Sequence, residues 1–81
     1  MNDKMARSVL RTNLEILLDS KGWTVSDLQR ATKDPMMTLH NIVNGRNLPR
    51  AGILLRIAKA FGVTIDDLFD TDLAKKLPIR V

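Results

Sequence analysis

Two short helical stretches joined by only three residues are the feature of this chain that most restricts its fold. Thr24 stands where a helix begins, with its hydroxyl able to accept a free backbone N–H, and Asp27 follows three residues later as in a capping box. Trp23 and Leu28 occupy the flanking and fourth positions of a hydrophobic staple. The spacing predicts a helix over about Val25 to Ala31. After the break Thr32-Lys33-Asp34, Asp34 is a suitable N-cap and Pro35 a suitable first helical residue, where no N–H is needed. The next helix then covers about Pro35 to Asn44, with Leu39, Ile42 and Val43 inward and Asn44-Gly45 as its stop. Neither stretch can bury its apolar face alone, so other helices must enclose the pair.

Flanking periodicities supply them. Leu10, Leu14, Leu17 and Leu18 form the stripe of a first helix, about Arg7 to Ser20, closed by Gly22. Leu54, Ile57, Ala58 and Phe61 form that of a fourth, about Arg50 to Phe61, closed by Gly62. Thr64 and Asp67 then repeat the capping device of Thr24, with Val63 and Leu68 as staple, so a fifth helix runs from Ile65 to about Asp70. No stretch alternates with period two. The expectation is an all-α, five-helix domain over residues 1–72 and a tail over 73–81, in which Leu77 to Val81 form either a frayed end or a short edge strand. Met5 is an alternative start to Met1.

Several chemistries are excluded early. The 81 residues contain no Cys and one His, so thiolate and His-rich metal sites fall away, and no cofactor or metal is expected. At Asp66, Asp67, Asp70 and Asp72 no His, Cys or Lys partner supports catalysis or metal binding, and the first two suit the positive end of a helix dipole. Ser8, Ser20 and Ser26 lack a triad, and no Gly-rich phosphate loop is present. We therefore expect no enzyme and no small-molecule substrate. The longest apolar runs are three residues, so neither a membrane helix nor a secretory segment is expected, and a cytoplasmic location follows as the default.

Charge points to a polyanion. Between residues 30 and 60, Arg30, Lys33, Arg46, Arg50, Arg56 and Lys59 stand against Asp34 alone. The next stretch is acidic, while residues 1–29 are balanced. On the third helix, Met36, Met37, His40, Asn41 and Asn44 share the side opposite its apolar stripe. Two short helices with a three-residue break have the spacing of a helix-turn-helix, whose second helix enters the major groove of DNA. There Asn41 can form a bidentate pair with adenine, His40 can reach a base or phosphate, and Met36 and Met37 can touch only thymine methyls or base planes. Packing is expected for Met36 and exposure for Met37. Arg46, Asn47 and Arg50, helped by Arg11, are candidates for phosphate contact. Ile53, Leu55 and Phe69 are candidates for an exposed apolar patch used in self-association.

From Leu14 to Leu68 the chain resembles the Cro and λ-repressor-like (XRE-type) helix-turn-helix family. The resemblance rests on KGWTVSDLQRATKDPMMTLHNIVNGRNLP followed by ILLRIAKAFGVTIDDLF, most specifically on TLHNIVNG and LLRIAKAFGV. It implies that the Pro35–Asn44 segment is the recognition helix, that positions 36, 37 and 41 match the family's base-reading positions, and that Asn44 and the following loop match its phosphate-contacting region. It also implies a two-fold homodimer that regulates transcription, often as a repressor, meeting its copy through the start of the fourth helix and the fifth. Three positions depart from the pattern. Val25 replaces the usual Gln that touches phosphate, Lys33 replaces the Gly of the turn, and Leu18 and Val43 replace an Arg–Glu pair.

The site expected from the sequence is thus Lys33, Met36, Met37, Thr38, His40, Asn41, Asn44, Arg46, Asn47 and Arg50 on DNA, with Ile53, Leu55 and Phe69 at a dimer contact. The partners expected are double-stranded DNA and a second copy, and no membrane. Val25 and the two Met residues also allow a protein-interaction module, such as an antitoxin subunit with weak or secondary DNA binding.

Overall fold

The computed structural model describes residues 1–77, and the expectation for Pro78 to Val81 lies outside the described residues. Six helices follow in order: α1 (Asp3–Lys21), α2 (Val25–Thr32), α3 (Met36–Val43), α4 (Ala51–Phe61), α5 (Ile65–Leu68) and α6 (Leu73–Lys76). The described residues contain no strand. The all-α class is as the sequence indicates, with one helix more.

α1 begins a full turn before the expected Arg7. Asn2 caps it by accepting the Met5 N–H at 2.8 Å, and Asp3 lies in its first turn, where the dipole favours an anion. Gly22 and Gly62 end α1 and α4 in the left-handed conformation, as their positions suggest. Both Thr/Asp capping boxes are formed. Thr24 and Thr64 accept the N–H groups of Asp27 and Asp67, whose carboxylates accept the Thr N–H groups in return. The backbone N–H of Thr24 holds the Asp27 carboxyl below its usual range, with the Thr24 hydroxyl and Arg30 assisting.

The core is one cluster. Leu10, Leu14, Leu17 and Leu18 of α1 meet Leu28 of α2, Leu39 and Ile42 of α3, Ile57, Ala58 and Phe61 of α4, Leu68 of α5 and Leu73 of α6. Trp23 packs its ring 5.5 Å from that of Phe61, and the Lys21 ammonium lies 5.0 Å above the indole. Leu54 and Val43, expected inward, are half-buried against the cluster.

Two features differ from expectation. Leu73, placed in the tail by the sequence, is fully buried, and α6 packs on α1. The reason is visible at Asn13. Its buried amide donates to the carbonyls of Leu68 and Asp70 at 2.8 and 2.9 Å, fixing the chain beyond α5 so that it turns back into the core. α5 accordingly stops at Leu68 rather than Asp70. Asp70 accepts the Asp72 N–H and pairs with Lys76; the hydrogen bond from Lys76 is the main cause that lowers its carboxyl, and the Lys76 ammonium is raised in turn.

The second difference concerns the start of α3. Pro35 is the cap residue and no side chain caps the helix. The Asp34 carboxylate turns away to accept from Arg56 on α4, at 3.2 and 3.1 Å from Nε and 2.6 Å from Nη2.

Candidate nucleic-acid interface

The turn between α2 and α3 sets how the outward side of α3 is presented. Lys33 ends α2 at φ 66°, in the left-handed region that favours Gly. Its N–H returns to the Gln29 carbonyl at 2.7 Å. Asp34 is then fixed from three sides. Its N–H donates to the Thr32 hydroxyl, its carbonyl accepts from the Gln29 amide, and its carboxylate, only 8% exposed, receives Arg56. The hydrogen bond from Arg56 is the main reason that this carboxyl lies below its usual range, and the Arg56 guanidinium is raised by the same contact. Sequence reading missed this link between the turn and α4. An acidic residue alone in a basic stretch was the available signal, and its capping role was the competing explanation.

From this base α3 runs with Leu39 and Ile42 in the core. Its opposite side is open. Met37 is 71% exposed, His40 and Asn44 are exposed, and Asn41 is half-buried. Met36 is half-buried and Met37 free, as expected. Thr38, half-buried, lies on the flank and lines a groove with Arg46, Asn47 and Arg50. Arg46, Asn47 and Arg50 are themselves exposed on the loop after α3, and Lys33 is exposed at its other end. The structure therefore brings all ten candidates onto α3 and the loops bordering it.

One contact inside this set was not anticipated. The Arg46 guanidinium donates to Oδ1 of Asn41 at 3.2 Å. The amide is thereby turned so that its NH₂ faces away from Arg46, and its oxygen keeps a second lone pair for an incoming donor. The Arg46 cation and the Asn41 amide are one unit rather than two independent groups.

Val25 lies with Leu18, Val43 and Trp23 in a second groove, beside Arg11 and Asn44. Apolar Leu18 and Val43 thus line this groove where the resemblance would put an Arg–Glu pair, with Glu15 and Asp19 also at its border. The three residues expected at a dimer contact do not form one exposed patch. Leu55 is 47% exposed, whereas Ile53 and Phe69 are half-buried against the core. Residues two apart on a helix point about 200° from one another, so Ile53 faces the groove beside α3 while Leu55 faces away from it.

Among the described residues no group of three or more His, Asp or Glu is placed to hold a metal, and no helix is long and apolar enough to cross a membrane. What the arrangement offers is a projecting helix with hydrogen-bonding side chains, bordered by cations, which is the geometry that reads a major groove. Comparison with known families agrees: the model of the Cro/C1-type HTH DNA-binding domain matches residues 13–74. Comparisons with curated proteins and with solved structures returned no match.

Proposed function

The chain belongs to the Cro/C1-type HTH DNA-binding family, and from that premise we propose that it is a sequence-specific transcriptional regulator that acts as a repressor by occupying its operator as a homodimer. The observation that carries this reading is the outward side of α3, where Met37, His40, Asn41 and Asn44 are accessible and Arg46 and Arg50 stand beside them. Lys33, Arg46, Asn47 and Arg50 hold phosphates. Met36, Met37, Thr38, His40, Asn41 and Asn44 meet base edges and the adjoining backbone. Leu55, the exposed member of the expected three, supplies the contact between copies together with the half-buried Phe69, and Ile53 is reassigned to support of the loop.

Selection of bound sites from a random duplex pool tests this reading. The expected product is a pseudo-palindrome whose half-sites are about 34–36 Å apart, one helical turn. On the selected site, Asn41→Ala removes preference at one base step, a discrimination of about 1–3 kcal/mol. Arg46→Ala weakens binding to every sequence, lowers the log–log salt slope by about 0.9, and erodes part of the same preference through its bond to Asn41. Recovery of no sequence motif, or equal effects of both substitutions on selected and random DNA, overturns the assignment.

A further inference from the structure

The first three turns of α1 carry a basic stripe of which the sequence reading used only Arg11, as a helper. Lys4, Arg7 and Arg11 fall within about 60° of one another on the helix. These turns precede residue 13, where the match to the family begins. Balanced charge over residues 1–29 conceals them in the sequence. In the structure Asp3 accompanies Arg7, while Glu15 and Asp19 border the far side of the groove that Arg11 shares with Asn44.

Both arginines are positioned against the recognition element. Arg7 is half-buried and lines the groove that also holds Thr38, Arg46 and Arg50, with Asp3 at its rim. Arg11 lies over the exit of α3. A Cβ built on Gly45 would stand 3.0 Å from Arg11 Cδ, and Gly45 itself has φ 75°. The ion pairs among the described residues use Arg30, Arg56, Lys75 and Lys76; none uses Arg7, Arg11, Arg46 or Arg50. Arg7 thus joins Arg46 and Arg50 around one groove and Arg11 stands at the exit of α3, four guanidiniums from two elements that no ion pair holds, and a cluster of that kind favours closely spaced anions.

We propose that the N-terminal turns of α1 form a second phosphate-binding edge, in which Arg7 and Arg11 grip the DNA backbone opposite the contacts of Arg46 and Arg50. Arg7 and Arg11 are one helical turn apart, about 6 Å along the axis, so they meet successive positions of a backbone rather than one phosphate. The edge contributes affinity and fixes the docking angle of α3, while carrying no sequence information of its own. This inference rests on the DNA-binding reading.

The test is fluorescence anisotropy on the selected duplex and on a random one, between 50 and 200 mM salt, with thermal melts as a fold check. Arg7→Gln combined with Arg11→Gln is expected to lower the salt slope by about 1.8 on both duplexes, which removes about twelvefold of the salt sensitivity over that range. Arg7→Lys combined with Arg11→Lys is expected to keep the wild-type slope, which separates charge from packing. Single Arg7→Gln, with an expected loss of about 0.9, serves if the double variant melts early. An unchanged slope in the Gln variants, alongside a reduced one in Arg46→Ala, overturns the α1 edge and leaves the recognition reading intact. Salt-independent or undetectable binding by the wild type overturns both.

Discussion

At the scale of single residues, Lys33 shows a conflict between stability and binding. A non-Gly residue in the left-handed region costs about 1–2 kcal/mol, of which Gly would return part through its freer unfolded chain. Lys33→Gly is therefore expected to stabilise the fold by about 0.5–1 kcal/mol, a rise in Tm of roughly 4 °C for a domain of this size. The same change is expected to weaken DNA binding and lower the salt slope by about 0.9, if Lys33 serves the phosphate role proposed above. Thermal melts and anisotropy on one variant give both signs. A fall in Tm would show that the turn is not strained. The site was largely legible at this scale. Positions 36 to 44 separate into inward and outward sets by helical spacing alone. Asp34 was not legible, since an Asp before Pro reads equally as a cap or as an ion-pair partner, and the choice depends on Arg56, which is remote in sequence.

At the scale of elements, the ends of the chain hold what the sequence concealed. The interior helices were legible because each has a stripe, a cap and a glycine stop. α6 is four residues long and buries one side chain, too little to generate a period. Its place is decided by Asn13, a polar residue within an apolar stripe, whose amide serves two carbonyls 55 and 57 positions away. Asn13→Ala leaves those carbonyls without their donor and is expected to cost about 2–3 kcal/mol, a fall in Tm of more than about 8 °C. Asn13→Asp is expected to cost more, because it sets an acceptor against acceptors. Circular dichroism melts check both, and a loss near zero for either would mean that α6 and the loop before it are held by Leu73 alone. The start of α1 was hidden for the opposite reason. Asp3 to Ala6 add a turn with no core residue, so hydrophobic periodicity has nothing to register.

For the whole molecule, three carboxyls tie separate parts of the structure to pH. Asp34 is lowered mainly by the hydrogen bond from Arg56, Asp27 mainly by the Thr24 N–H, and Asp70 mainly by Lys76. On unfolding each returns towards the ordinary value of about 3.9. Below that pH the unfolded chain takes up protons that the folded one still refuses, so the stabilisation is full above about pH 4 and declines as pH falls through the lowered folded values. Urea midpoints are expected to be level from pH 7 to about pH 4.5 and then to drop. Asp34→Asn is expected to lower the midpoint at pH 7 and make the acid decline shallower. A decline of unchanged steepness would remove Asp34 from the account. Above pH 4 the surface is divided, with cations bordering α3 and on α4, and Asp66, Asp67, Asp70 and Asp72 gathered around α5. That division turns α3 towards a polyanion as the two approach.

The pairing of Trp23 with Phe61 has a practical consequence. This single indole sits where α1, α2 and α4 converge, on the scaffold rather than on the projecting side of α3. Its ultraviolet emission is thus an intrinsic optical gauge of whether the scaffold is assembled, obtained without a dye.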